Sequence, residues 1–208
     1  MCKAMKIGID LDNTIICYDD VFAYVAAQEG YDCNSLKTKK ELKSWFHNND
    51  MHDAFTEIQG LVYGKYINEA IFFDEVKVCF ETWRADNHSL YIVSHKTKYP
   101  VIGEKVDLRK SATEYLYKNG ILDLEIVPTS NLFFEDTAAS KVARISKLRL
   151  DLFIDDLPSI LKDEAFPEMT RKILFDPLRK SYESCYDLIA ANWTDIEKFV
   201  QKNSERLT

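Results

Sequence analysis

Several features are missing from this 208-residue chain, and each absence argues against a class of protein or a kind of site. No apolar run approaches the roughly 18 residues of a membrane-spanning helix, and the N-terminus shows no signal-peptide pattern. The five cysteines are scattered without a CxxC pair, which indicates reduced thiols rather than a disulfide framework or a zinc site. Internal repeats and low-complexity tracts are also absent. We therefore expect a cytoplasmic protein that does not bind membranes.

The charge and size of the chain set further limits. The net charge of −7 argues against a partner that is a nucleic acid polymer. A hydrophobic content of 46% is ordinary for a globular protein, and the length suits one core domain with an added segment. The sequence does not determine the oligomeric state.

The strongest functional signal is a short apolar run that ends in acid. Ile7 and Ile9 alternate with a glycine as in a buried strand, and Asp10 and Asp12 follow on either side of a leucine. Side chains two residues apart in an extended chain lie on the same side, so both carboxylates are expected to face one site. Buried carboxylates are costly unless a metal or proton chemistry uses them.

A second run of the same kind ends at Asp155 and Asp156, after the apolar residues 152–154. The carboxyl ends of strands in an open α/β sheet form the edge where ligands bind. Acids converging there would repel one another without a cation. Because these ligands are all oxygens, Mg²⁺ is the ion that we expect.

Two further polar groups stand where a phosphate would need them. The apolar run 90–93 ends at Ser94, and a hydroxyl at a strand end can donate to a phosphate oxygen. Lys141 opens an amphipathic stretch that leads into the strand before Asp155. A lysine there would reach the strand edge and neutralise part of the acidic cluster.

The order of these motifs resembles that of the haloacid dehalogenase-like (HAD) phosphatase superfamily. The resemblance covers about residues 5 to 180 and departs at Asn13, where the family often has glycine. The residues that carry it are Asp10, Asp12, Thr14, Ser94, Lys141, Asp155 and Asp156. It implies an α/β fold with a Rossmann-like parallel sheet flanked by helices, which the alternation of strand and helix patterns also predicts.

The resemblance implies a role for each motif residue. Asp10 would be the nucleophile that takes the phosphoryl group, and Asp12 the general acid and base. Ser94 and Lys141 would hold the phosphoryl oxygens, with Thr14 in support. The implied Mg²⁺ ligands are Asp10, the carbonyl of Asp12, Asp155 and Asp156.

The segment after the first motif is too long for a simple connection within a sheet, and it shows helical patterns interrupted by a loop at 60–66. In the superfamily, an insertion at this point forms a cap that selects the substrate. We therefore predict a helical cap at 18–73 and a core at 1–17 and 74–208. Five residues are candidates for substrate contacts: Tyr63, Lys65, His95, Lys96 and Lys98.

Each of these residues also has an ordinary interpretation. Asp-x-Asp is common in turns, and a single serine or lysine is usually a solvated surface residue. The two acidic motifs at the ends of two strands make this interpretation weak for the acids. For the five substrate candidates, packing or solvent exposure is at least as good an explanation.

The function predicted from these observations is hydrolysis of a small phosphomonoester through a phosphoaspartyl intermediate. Loops 59–64 and 94–100 resemble those of a superfamily branch associated with bacterial surface-sugar gene clusters, which favours a sugar phosphate. A 5'-nucleotidase is the alternative within the superfamily. A phosphate-binding module without turnover is the alternative from another class.

The remaining patterns predict four core elements. Helices are expected at 74–85 and 107–119, and short strands at 124–127 and 172–175. A last helix is expected to begin at Thr194, with Glu197 completing a capping box.

Overall fold

The computed structural model describes residues 3–33, 35–178 and 185–205. Within these ranges, no helix is both long and apolar enough to cross a membrane. The contacts divide the chain into two compact units. The core unit comprises Met1–Ile15, Phe72–His95 and Ile121–Thr208, and the second unit comprises Ile16–Ile71 and Lys96–Gly120.

The secondary structure of the described residues alternates between strands and helices. The strands are β1 (Lys6–Ile9), β2 (Ile16–Cys17), β3 (Ile71–Phe72), β4 (Ser89–His95), β5 (Leu132–Glu135), β6 (Leu152–Asp155), β7 (Arg171–Phe175) and β8 (Leu188–Ala190). The helices are α1 (Asp19–Gln28), α2 (Lys39–Asn48), α3 (His52–Tyr63), α4 (Val76–Ala85), α5 (Leu108–Lys118), α6 (Ala138–Leu148), α7 (Pro158–Leu161) and α8 (Trp193–Glu205).

The core unit is built on a six-stranded sheet with the order β5-β4-β1-β6-β7-β8, and its strands pair in parallel. Helices α4, α6, α7 and α8 pack against its strands. The α/β class and the Rossmann-like parallel sheet that the sequence predicts are thereby confirmed. Because β1 lies between β4 and β6, the residues that follow these three strands meet at one edge of the sheet.

Strand β1 lies inside the sheet and is tightly enclosed. Ile7 and Ile9 are fully buried. A Cβ at Gly8 would lie 2.3 Å from a methyl of Leu150 and 2.6 Å from the ring of Phe153, so the core closes directly over the backbone here. Any larger residue at this position would force that packing apart.

One of the four predicted core elements is wrong. Residues 124–127 do not form a strand: Leu122 and Val127 make only an isolated bridge, and Leu124 is 84% exposed. The strand at this edge of the sheet is β5, whose four residues are all half-buried. Residues 132–134 are all apolar, so a strand pattern was present in the sequence but was not assigned.

The last helix also differs from its prediction. It begins at Trp193 rather than Thr194, and the side chain of Asn192 accepts a hydrogen bond from the Asp195 amide at 2.8 Å. Glu197 makes no capping box, because its carboxylate accepts hydrogen bonds from the Trp83 indole and from a glutamine one turn later.

The second unit contains α1, α2, α3 and α5. Its core is aromatic: the Phe22 and Phe55 rings stack at 5.6 Å, and the Phe46 and Phe55 rings lie 5.9 Å apart. The loop predicted at 60–66 is partly wrong, because α3 continues through Gly60 and ends at Tyr63. A Cβ at Gly60 would lie 2.9 Å from the Pro100 ring, so glycine here serves close packing, not a turn.

This unit includes most of the segment predicted as a cap, together with residues 96–120. The assignment of 18–73 as a cap that selects substrate stays a prediction.

Candidate active site

The two acidic motifs lie side by side at the carboxyl edge of the sheet. Ile9 of β1 pairs with Ile154 of β6, and the Asp10 amide donates to the Ile154 carbonyl at 2.8 Å. This register places Asp10 next to Asp155, the last residue of β6. Both are buried, with 5% and 0% of their surface exposed.

Lys141 joins these two acids. Its Nζ lies 2.6 Å from Oδ1 of Asp10 and 2.6 Å from Oδ2 of Asp155. The lysine lies in the second turn of α6, and it is only 1% exposed. Thr137 caps this helix through the amide of Ser140, so the start of α6 is fixed in front of the sheet edge.

The protonation of this cluster follows from burial and from the charges it gathers. Burial raises the pKa of Asp10 from 3.8 to about 7, Lys141 opposes the rise, and the charges of Asp155 and Asp12 add to it. Burial alone would lower the pKa of Lys141, but the two carboxylates outweigh burial and raise it above its usual value. The lysine is therefore positively charged at neutral pH.

Three carboxylates of this cluster are placed to share a cation. One oxygen each from Asp10, Asp155 and Asp156 lies within 4.8 Å of the others. The Leu157 amide donates to the free oxygen of Asp155 at 2.9 Å and so fixes its orientation. Oxygen-only ligands at this separation fit a hard divalent ion such as Mg²⁺. Asp12 is half-buried two residues after Asp10.

Residues 11–15 form a tight turn, which we call the nucleophile loop because it follows the residue that the sequence resemblance implies as nucleophile. The Ile15 amide donates to the Leu11 carbonyl at 3.0 Å, and Asn13 has a φ of 64°. Asparagine tolerates this left-handed conformation better than most residues, which explains how it can stand where the resemblance leads us to expect glycine. Thr14 is fully buried, and its hydroxyl donates to Oδ2 of Asp10 at 3.4 Å.

Ser94 lies at the same edge of the sheet, two residues beyond the pairing of Ile9 with Ile92. It is 1% exposed, and its Oγ has no hydrogen-bond partner among the described residues. A buried hydroxyl without a partner is costly, so this oxygen is suited to a bound ligand. The next residue, His95, is exposed, and its Nε2 lies 3.1 Å from the Asp136 carbonyl.

Solved structures with the same fold identify the architecture. YfnB from Bacillus subtilis, described as a HAD hydrolase bound to magnesium, is 11% identical with a TM-score of 0.62, and the match covers 95% of this chain and 99% of that one. A phosphoserine phosphohydrolase-like protein from Francisella tularensis is 12% identical with a TM-score of 0.58 and coverage of 94% and 99%. The L-2-haloacid dehalogenase RSc1362 is 11% identical with a TM-score of 0.62 and coverage of 96% and 99%.

The fold is that of the HAD-superfamily hydrolases. No protein-family model matches the sequence, and the search of curated proteins found no match. The resemblance predicted from the motifs is therefore confirmed as a fold, in a group that includes both phosphatase-like proteins and a dehalogenase.

Four of the five substrate candidates lie in the second unit of this HAD-fold protein. Tyr63 and Lys96 come together, with the Lys96 Nζ 4.2 Å from the ring centre. Lys65 instead lies over the ring of Tyr66 at 5.2 Å. Lys98 is exposed and forms an ion pair of 3.9 Å with Asp107, so its contact is with its own loop.

The sequence analysis missed two contacts that organise the site. One is the Leu157 amide, which orients Asp155. The other is Trp193, whose Nε1 donates to the Thr14 carbonyl at 3.1 Å from 179 residues away in the sequence. A buried tryptophan needs an acceptor for its N–H, but the sequence does not indicate which carbonyl supplies it.

Proposed function

We propose that this protein is a Mg²⁺-dependent phosphomonoester hydrolase that forms a phosphoaspartyl intermediate on Asp10. The observation that carries the proposal is the buried cluster in which Lys141 bridges Asp10 and Asp155 at 2.6 Å. The single positive charge of Lys141 does not neutralise several carboxylates. The site can therefore also bind a divalent cation and, together with that cation, an anionic group. Phosphoryl transfer needs both in one place.

Asp10 attacks phosphorus with a carboxylate oxygen, and the bond to the leaving alcohol breaks. Asp12 donates a proton to that alcohol as it leaves. The same residue then takes a proton from the water that attacks the phosphoaspartate, and this second step returns Asp10 and releases phosphate. Half-burial of Asp12 is compatible with a group that must exchange protons with solvent.

Ser94 and Lys141 hold the oxygens of the transferring group. The Ser94 hydroxyl is buried without a partner among the described residues, and the Lys141 ammonium is already directed at the nucleophile. Donors that are fixed before the reaction contribute most to stabilising developing charge.

Asp10, Asp155 and Asp156 would hold Mg²⁺, together with the carbonyl of Asp12, and their oxygen-only ligand set fits this ion. When bound, the ion would offset the repulsion between the carboxylate nucleophile and the phosphate.

The substrate that we propose is a small phosphorylated metabolite, with a sugar phosphate as the first choice and a nucleotide as the second. We propose that residues 18–73 act as the cap that selects it. Dehalogenation is the competing reaction for this fold, since one similar structure is a haloacid dehalogenase. Asp12 favours phosphate chemistry, because the dehalogenases of the superfamily lack the second acid.

The test is a steady-state assay of the purified chain with Mg²⁺ against p-nitrophenyl phosphate, sugar phosphates, nucleotides and L-2-chloropropionate. Asp10→Asn removes the nucleophile. The matched control is Asp151→Asn, which alters an aspartate at the opposite end of β6, where it accepts a hydrogen bond from the Lys6 amide.

We expect phosphate release by the wild type and by Asp151→Asn, and no release after Asp10→Asn or after EDTA treatment. Chloride release without phosphate release would replace the proposal with dehalogenation. Phosphate release that survives Asp10→Asn would refute the assignment of the nucleophile. Binding of phosphate without any turnover would favour the non-catalytic module.

A further inference from the structure

Besides Lys141, the proposed nucleophile Asp10 has a second hydrogen-bond partner, Thr14, and the bond between these two side chains is long. Thr14 Oγ1 and Asp10 Oδ2 are 3.4 Å apart, which is longer than the 2.5–3.0 Å usual for a hydroxyl donor. A bond this long constrains the carboxylate only if the threonine backbone is fixed by something else. The position of Thr14 therefore depends on what holds the nucleophile loop.

The loop is held from outside as well as from within. Within it, the Ile15 amide donates to the Leu11 carbonyl. The carbonyl of Thr14 accepts from the indole N–H of Trp193 at 3.1 Å, and the carbonyl of Ile15 accepts from the Phe73 amide at 3.1 Å. The loop is thus fixed by hydrogen bonds to two consecutive carbonyls.

The indole that makes the first of these bonds is itself rigidly packed. Trp193 is 1% exposed, and its ring lies 5.7 Å from Phe80, 5.9 Å from Trp83 and 6.2 Å from Phe175. The Phe175 ring lies 4.8 Å from Phe73, which supplies the second bond. Trp193 and Phe73, whose N–H groups donate to the two carbonyls, thus both pack against Phe175.

We propose that Trp193 is a positioning residue for the nucleophile, an inference that rests on the proposed function. Its N–H fixes the Thr14 carbonyl, and Thr14 in turn holds Asp10 in line with the phosphorus. The first residue of the C-terminal helix thereby takes part in setting the attack geometry without touching substrate.

The test compares two substitutions in the same aromatic cluster. Trp193→Phe retains a buried ring and removes the donor to Thr14. Trp83→Phe is the matched control, since its indole is equally buried but donates to Glu197 and not to the nucleophile loop. For both variants, kcat and KM are measured on the best phosphomonoester, and the thermal unfolding midpoint is recorded.

We expect Trp193→Phe to lower kcat by about tenfold to a hundredfold with KM unchanged, because a displaced nucleophile loses transition-state geometry but not substrate binding. Trp83→Phe is expected to retain the wild-type kcat at a similar loss of thermal stability. Equal kcat values for the two variants, or a change confined to KM, would overturn the inference.

If Trp193→Phe does not fold, benzothienylalanine at position 193 replaces it, because this analogue keeps the ring shape and lacks only the N–H. The same fall in kcat is expected, and a wild-type kcat would overturn the inference. An inactive wild type would instead refute the proposed function, and with it this role of Trp193, whereas an active wild type with an equally active Trp193→Phe refutes the positioning role alone.

Discussion

Lys141 shows how a single side chain can determine both the stability and the chemistry of a site. A buried ammonium is tolerated only where carboxylates compensate for its lost hydration, and here two of them lie at 2.6 Å. The dependence is mutual, since the two acids would repel one another in the absence of the lysine. The residue should therefore stabilise the fold, and in the proposed reaction it also holds the phosphoryl group.

Lys141→Met should lower the free energy of unfolding by about 3–5 kcal/mol, because it leaves two buried carboxylates without their cation. Lys147→Met, at an exposed position of the same helix, should change it by no more than about 0.5 kcal/mol. Urea unfolding measures both values. Mg²⁺ should restore part of the stability of Lys141→Met if it binds between the acids. Equal stability of the two variants would show that the ion pair is not stabilising.

At the scale of elements, helix α6 presents this lysine to the sheet edge. The capping box formed by Thr137 and Ser140 fixes the first turn, and Lys141 follows immediately. Fraying of that turn would move the ammonium away from both carboxylates. The capping box at the start of α6 lies less than two turns from Lys141, so its loss should affect the position of the ammonium.

Thr137→Ala should cost about 1 kcal/mol of stability and should also lower kcat. The matched control is Thr38→Ala, which removes an equivalent capping box from α2 in the second unit. We expect a similar loss of stability in the control without an effect on kcat. Chemical denaturation measures the loss of stability, and steady-state kinetics measure kcat. An unchanged kcat in Thr137→Ala would show that the capping box of α6 does not position Lys141 for the reaction.

The sequence predicts the elements that are fully buried better than those at the edges. Strands β1, β4, β6 and β7 are apparent because their apolar runs stop abruptly at polar residues. Strand β5 was misplaced although its residues 132–134 are apolar, and β8 was not predicted; both are short strands at the ends of the sheet. The three residues of β8 are too few to show a periodicity.

The candidate site follows the same logic. Asp10, Ser94 and Asp155 were predictable because each follows a buried apolar run, and parallel strands bring such residues to one edge. The contact between Trp193 and Thr14 spans 179 residues and depends on side-chain packing, so no local pattern reports it. Lys65 and Lys98, two substrate candidates of the second unit, do not lie at the end of a buried strand, so no strand pairing predicts their positions. Lys65 contacts the Tyr66 ring and Lys98 forms an ion pair with Asp107.

At the scale of the whole molecule, stability should depend on pH through a buried histidine distant from the proposed chemistry. His88 is 1% exposed, and its Nδ1 accepts a hydrogen bond from the Met5 amide at 3.1 Å. Burial lowers its pKa below 6.5, although nearby acids oppose this shift. The folded protein therefore takes up this proton at a lower pH than the unfolded chain.

As the pH falls through 6.5, the unfolded chain binds the His88 proton first, so the contribution of His88 to the free energy of unfolding should decrease until the folded histidine is also protonated. His88→Asn keeps a hydrogen-bond acceptor but cannot titrate, so the difference in free energy of unfolding between wild type and variant should shrink in this range as the pH falls. Urea unfolding at several pH values on both sides of 6.5 tests this. The same slope in both proteins would show that His88 is not responsible.

Asp10 should carry the phosphoryl group during turnover, and trapping the intermediate tests this role most directly. Wild type and Asp12→Asn would be mixed with a phosphomonoester and Mg²⁺, quenched in acid and digested, and the peptide containing Asp10 analysed by mass spectrometry. We predict one phosphoryl group on Asp10, at higher occupancy in Asp12→Asn, because that variant lacks the base that activates water. Release of phosphate by a protein whose Asp10 is never phosphorylated would contradict the account.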